Sequence, residues 1–205
     1  IFEELLEYWK ISLPNLKFVN GKILNDLIEF TNQRIFSHLD ELSVRKDLIK
    51  ATCFNGSCFD RRIINILDLK NRIKIIKELE VKENFFEIQK VISRVTKLAE
   101  KGNLKKSIFL SVDIINPDLF EKECEINAFE FIKELENLLS LPNWDYFKLF
   151  SLFEKNTNNV NELFDSEKGV LMMAENTEIR NNRLNLLGLI RNYSLKLADF
   201  TLLNS

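Results

Sequence analysis

Three basic residues, Lys90, Arg94 and Lys97, recur at i, i+4 and i+7, which places three cations on one face of an α-helix. A stripe of that kind can follow a phosphate backbone, so nucleic-acid binding is the chemistry to test. The same spacing also describes a hydrated surface with salt bridges inside the helix, and the residues alone leave both readings open. A second group, Arg180, Asn182, Arg183 and Arg191, lies near the C-terminus. At about 100° per residue its three arginines fall near 0°, about −60° and about +20°, on one side of a helix. Arg and Asn can bond phosphates and base edges. The same arc carries Leu184 and Leu187, so these side chains can equally border a helix contact and pair with Glu175 or Glu178.

Other chemistries fail on inventory. A Ser-His-Asp or Cys-His apparatus would have to draw on the single histidine, His38, and no catalytic residue is assigned. Cys53, Cys58 and Cys124 lack framework spacing and, with one histidine, supply too few soft ligands for zinc, so no metal site is assigned and reduced cytosolic thiols are expected. Five scattered glycines make neither a P-loop nor a dinucleotide fingerprint. The acids from Glu121 to Glu136 read as a solvated helix face, because acid and base carboxylates need a pocket that separates their pKa values. Phe147, Phe150 and Phe153, at i, i+3 and i+6, could stack on bases but are better placed as core.

These side chains must be positioned by helices. Five Gly and three Pro in 205 residues are too few for the tight turns of a sandwich or barrel, and apolar residues recur at helical spacing, so the fold class is all-α. Helices are predicted near 22–42, 44–54, 60–80 and 84–101, with Asp60 or Asn84 as caps, a turn at Asn55-Gly56-Ser57 and an end at Gly102-Asn103. After Asn116-Pro117, helices are predicted from Asp118 to Leu139 and from Trp144 to Phe153. An Asn-rich link, Asn156 to Asn161, follows, and then a long final helix from about Thr177, with Gly188 as a packing site.

Charge divides the chain. Residues 1–106 hold 20 Lys+Arg against 15 Asp+Glu and residues 107–205 hold 9 against 16, so two parts are expected: a basic helical body, 1–106, and an acidic helical bundle, 107–205. No stretch approaches the roughly 20 apolar residues that span a bilayer, and the first ten residues lack a basic leader, so no membrane association is expected. The only methionines are Met172 and Met173, so the chain reads as the C-terminal piece of something longer.

The last 45 residues carry ordered blocks: Val160-Asn161-Glu162-Leu163-Phe164-Asp165, Val170-Leu171-Met172-Met173-Ala174-Glu175, Ile179 to Leu187 with Arg180-Asn181-Asn182-Arg183-Leu184, and Ala198-Asp199-Phe200. In that order they resemble the C-terminus of the bacterial glycyl-tRNA synthetase β subunit. Fainter likeness continues upstream in Leu27-Ile28-Glu29-Phe30, Asp47 to Ala51, Arg94-Val95 and Pro117 to Glu121. Asn176 stands where the family has Asp, Leu163 where it has Phe, and Ser166 to Gly169 are inserted.

The resemblance implies a bundle like the DALR-type anticodon-binding domain, also found in arginyl-tRNA synthetases. It implies a cytoplasmic α2β2 glycine–tRNA ligase whose α subunit carries the site for glycine, ATP and Mg²⁺. This fragment would be non-catalytic, hold no cofactor, and bind tRNA(Gly) at the anticodon and backbone through Lys90, Arg94, Lys97, Arg180, Asn182, Arg183 and Arg191. Glycine anticodons end in two cytosines, unpaired bases that can be read on their Watson–Crick edges. The alternatives are a non-catalytic helical scaffold that docks partner helices and the anticodon-binding domain of another synthetase, such as the arginyl enzyme.

Overall fold

A computed structural model describes residues 2–15, 20–53 and 65–204. Among the described residues there are eight α-helices, two short 3₁₀ turns and no strand, so the chain is all-helical. The helices are α1 (Phe2–Ser12), α2 (Asn20–Glu41), α3 (Lys46–Cys53), α4 (Ile66–Leu79), α5 (Phe85–Ala99), α6 (Glu123–Ser140), α7 (Tyr146–Glu162) and α8 (Thr177–Ser194). The 3₁₀ turns are Pro117–Leu119 and Phe200–Leu202. The expected cap Asp60, the turn at Asn55-Gly56-Ser57 and the start of the 60–80 helix lie outside the described residues, as does Cys58.

The core is organised around α8. α5 and α6 both pack against it, and α7 packs on α6. Leu184, Leu186, Leu187, Leu189, Ile190 and Tyr193 are all buried, so α8 is covered on most of its circumference, as a central helix must be. α5 contributes Phe85, Ile88, Val91, Ile92, Val95 and Ala99 from one face and leaves Lys90, Arg94 and Lys97 exposed on the other. Phe85 stacks on Phe150 of α7 with ring centroids 5.8 Å apart. The main core runs from Leu48 to Leu203, and a smaller cluster of Ile35, Leu39, Ile49, Cys53, Leu69 and Ile73 joins α2, α3 and α4. The apolar core crosses the division drawn at residues 106 and 107.

Several local expectations change. α1 lies outside the helices expected from the sequence, and among its described apolar side chains it buries Leu6 alone. α6 begins five residues later than Asp118, because Glu125 accepts the Glu121 and Lys122 N–H groups at 2.8 and 3.1 Å and so ends the preceding extended segment from the first turn of the helix. The Asn-rich stretch is not a link but the second half of α7: Asn156 is buried and donates to Glu134 at 3.0 Å, while Thr157 bonds back to the Phe153 carbonyl. Asn84 sits at the start of α5 but donates to Glu154 at 2.6 Å instead of capping. α4 is capped by Asn65, which accepts from the N–H groups of Leu67 and Asp68.

Two glycines beside α8 act through space. A Cβ at Gly188 would come within 2.8 Å of Leu104 Cδ2 and 3.1 Å of its Cβ, so the glycine lets residue 104 lie directly on α8. Gly102 does not take a left-handed φ; a Cβ there would meet the Leu184 Cβ at 3.1 Å.

The C-terminal segment is clamped between α3 and α5. The Asp199 N–H donates to the Ala51 carbonyl at 2.8 Å, and the Asn204 N–H to Asp47 Oδ2 at 3.0 Å. Gln89 Nε2 donates to the Leu203 carbonyl at 2.9 Å, and Ser93 to the Phe200 carbonyl at 3.2 Å. Arg45 grips Asp47 through two hydrogen bonds of 3.1 and 2.7 Å, and this bonding holds the Asp47 carboxyl down at about 2.

Because the folded pKa of Asp47 lies below its unfolded value, its contribution is present above about pH 4 and is lost as pH falls toward 2. Asp47→Ala is expected to cost about 1–2 kcal/mol at pH 7 and to flatten the acid side of the stability curve between about pH 4 and 2, read by urea denaturation across pH.

Candidate nucleic-acid interface

The structure separates the seven sequence-predicted side chains into two groups with different surroundings. Lys90, Arg94 and Lys97 are exposed, and all three line one groove of about 1230 Å³. Phe86, Gln89 and Ser93 line it from the same helix, Asn161 from the end of α7, and Phe200, Thr201 and Leu203 from the C-terminal segment. Arg94 lies over the ring of Phe164, 4.3 Å from its centroid, a cation–π contact that holds the guanidinium at the groove without neutralising it. Among the described residues, none of the three cations makes an ion pair, and Glu87 is the one acid in the lining. The groove thus joins uncompensated positive charge to an aromatic side chain, Phe86, that is half exposed.

None of the four α8 residues lines that groove. Arg183 is 3% exposed; its Nε donates to Glu125 Oε1 at 2.8 Å, its Nη2 to Glu121 at 2.5 Å and its Nη1 to the Leu171 carbonyl at 3.0 Å. Burial works against its charge, but the bonds to Glu125 and Glu121 outweigh that, and the group holds its proton more tightly than a free arginine. Arg191 is buried too, bonded to Asn192 and to the Leu104 carbonyl at 2.7 Å, with Glu100 3.9 Å away; there burial lowers the pKa. Asn182 is buried and makes a reciprocal pair with Asn116, accepting its N–H at 2.8 Å and donating to its carbonyl at 3.0 Å. Arg180 is partly exposed and donates to the Ala174 carbonyl and the Thr177 hydroxyl.

The polar residues of α8 therefore have an internal ligand: the connection between α5 and α6. Asn185 donates to the Ile114 carbonyl, Asn192 to those of Lys105 and Ile108, and Tyr193 to that of Phe109. A connection with so little regular structure must satisfy its buried carbonyls elsewhere, and α8 supplies the donors. Asn182, Arg183 and Arg191, as placed, present no free group to a base or phosphate, and the pairing with Glu175 or Glu178 gives way to pairing with Glu125, Glu121 and Glu100.

The residues that sequence reasoning missed are Phe86 and Gln89, together with the C-terminal wall. Phe86 stands four residues before Lys90 and was legible from helical spacing; Phe164, Phe200 and Leu203 come from distant chain and carried no local signal. Phe150 and Phe153 are core as expected, whereas Phe147 is exposed. Among the described residues no group of three or more His, Cys, Asp or Glu is arranged to hold a metal ion, and no helix is long and apolar enough to cross a membrane.

The blocks near the C-terminus build the surroundings of α8. Asn176 caps the helix, accepting from the N–H groups of Glu178 and Ile179, a task for which Asn and Asp are equivalent. Asp165 accepts the N–H groups of Glu167 and Lys168 in the turn after α7, and Ala198 and Phe200 are buried. No protein-family model matches the chain. Its curated relatives are subunits of a tRNA ligase. The chain is homologous to a region of the glycine–tRNA ligase beta subunit. It is 31% identical over 181 residues to that of Acaryochloris marina, covering 86% of this chain and 25% of the relative. It is 33% identical to the beta subunits of a Picosynechococcus and a Synechocystis strain, over 86% of this chain and 25% and 26% of the relatives. The chain spans about a quarter of the length of the curated relatives it matches.

Breaking one partner of the buried pair should be costly. Arg183→Met leaves Glu125 without its counter-charge and is expected to destabilise by roughly 3–5 kcal/mol, whereas adding Glu125→Gln, which retains an acceptor for the backbone N–H groups, should recover part of that loss in urea denaturation.

Proposed function

We propose that this region grips tRNA within a glycine–tRNA ligase and contributes to glycyl-tRNA synthesis by binding, with the groove along α5 as the contact surface. The observation that carries the reading is the convergence of Lys90, Arg94 and Lys97, exposed and without ion pairs among the described residues, on one groove that also holds Phe86. Phosphates are met by the three cations and an unpaired base by the aromatic ring, the two components of single-strand recognition. Homology to the beta subunit supports tRNA(Gly) as the RNA and the anticodon loop, with its unpaired cytosines, as the part that is read.

On this reading the basic part to residue 106 supplies the grip, and the helices after it hold the groove's shape. Arg180, Asn182, Arg183 and Arg191 then serve tRNA binding by bracing the fold around α8, with Arg180 the one of the four still partly open to solvent. The region is non-catalytic, glycine is activated with ATP and Mg²⁺ on the α subunit, and the working assembly is a cytoplasmic α2β2 complex.

Phosphate contacts release counterions, so affinity should fall steeply with salt. Replacing Lys90, Arg94 and Lys97 together by Gln is expected to weaken tRNA(Gly) binding and to lower the slope of log K against log salt by roughly 2–3, measured by filter binding at several salt concentrations. Binding unchanged by the triple replacement would defeat the assignment of the groove, and salt-insensitive association with a partner helix would favour the scaffold alternative.

A further inference from the structure

The C-terminal segment is a ridge with a basic hollow on either side. One flank, through Phe200, Thr201 and Leu203, walls the α5 groove; the other lies on α3, where Asp47 Oδ2 accepts the Asn204 N–H at 3.0 Å. At about 100° per residue, Lys46 and Lys50 of α3 fall about 40° apart. Asp47, under the C-terminal segment, lies to one side of them, and Ile49, buried in the cluster that joins α2, α3 and α4, lies to the other. The two lysines therefore stand on the outer face of α3, between the ridge and α2. Both are exposed, and among the described residues neither makes an ion pair. They border a second cavity of about 350 Å³, lined also by Phe36, Ser37 and Asp40 of α2 and by Ile49. That volume lies at the small end of ligand pockets, about 300–1,000 Å³. Phe36 and Ile49 make part of the lining apolar, and Asp40 is its one acid, so the two lysines leave the lining net positive.

We propose that the cavity between α2 and α3 is a second nucleotide site, holding an unpaired nucleotide of the same RNA that the α5 groove grips. This rests on the region being a tRNA contact. An apolar slot beside two cations suits a flat ring with an anion attached close by: the base lies against Phe36 and Ile49, and its phosphate faces Lys46 and Lys50. A purely apolar partner would desolvate both ammonium groups without pairing them. The ridge of residues 200–203 then stands between two contacts of like chemistry, an aromatic side chain with lysines on each side, so one RNA can engage both.

The test measures binding of the tRNA(Gly) transcript to the 205-residue chain across salt concentrations, with Lys46→Gln/Lys50→Gln, with Ser37→Trp, and with the triple replacement of Lys90, Arg94 and Lys97. The lysine pair variant is expected to lower the slope of log K against log salt by roughly 1–2, and to do so again on the background of the triple replacement. Ser37→Trp, at an exposed position, fills the cavity without changing charge; it should weaken binding about tenfold, the worth of one stacked base, and leave the slope unaltered. Ser37→Tyr replaces it should circular dichroism show the tryptophan variant unfolded. A slope unmoved by the lysine pair, while the triple replacement lowers it, would overturn the second site and leave the α5 groove standing. Full affinity in the filled variant would equally overturn it, reducing Lys46 and Lys50 to a diffuse phosphate contact. A slope lowered by the lysine pair but not by the triple replacement would remove the α5 groove and leave this site. Absence of salt-sensitive binding by the unaltered chain would overturn both.

Discussion

The buried pair between Arg183 and Glu125 is the contact on which the arrangement of the C-terminal helices depends. Glu125 is fully buried at the start of α6, where it accepts two backbone N–H groups and the Arg183 Nε; Arg183 in turn reaches Glu121 and the Leu171 carbonyl. One cluster thus fixes where α6 begins, how α8 crosses it and where the segment before α8 lies. Such a cluster contributes little net stability over an apolar replacement, because both charges must be desolvated. Its effect is on register, since a shift of either helix would leave a buried charge unpaired.

A second consequence follows along α8. The helix is buried nearly all round yet carries Asn182, Asn185, Arg191, Asn192 and Tyr193, and each is spent on the backbone of the connection between residues 104 and 116. The connection passes directly over the helix at Gly188, where no side chain intervenes between it and Leu104. With α8 committed inward, Lys90, Arg94 and Lys97 on α5 remain exposed. The wall opposite them is the C-terminal segment, held by Asp47, Ala51, Gln89 and Ser93. The groove therefore exists only because the end of the chain returns to α3 and α5.

Residue types were informative about the groove to the extent that its parts lie on one helix. Lys90, Arg94 and Lys97 share a face because 3.6 residues make a turn, and the same arithmetic reaches Phe86. The identical argument grouped Arg180, Arg183 and Arg191 on one side of α8, which is geometrically right, but periodicity does not say whether that side meets water or another helix. The Asn-rich stretch misled for a related reason: Asn favours turns when its side chain must satisfy its own backbone, and here Glu134 from α6 offers Asn156 a partner that lets the helix continue.

The all-helical class, the approximate span of α2, α3, α5 and α8, the end of α6 one residue past the expected Leu139 and the kinship with the beta subunit were determined by the sequence alone, because helical periodicity, scarce Gly and Pro and ordered local blocks are properties of neighbouring residues. Tertiary structure alone decided which arginines are solvated and which are buried, that the core crosses the change in charge, and that residues 200–203 wall the α5 groove. The physical reason is that burial of a charge depends on a partner far along the chain: Glu125 stands 58 residues before Arg183, and Leu203 stands 114 residues after Gln89.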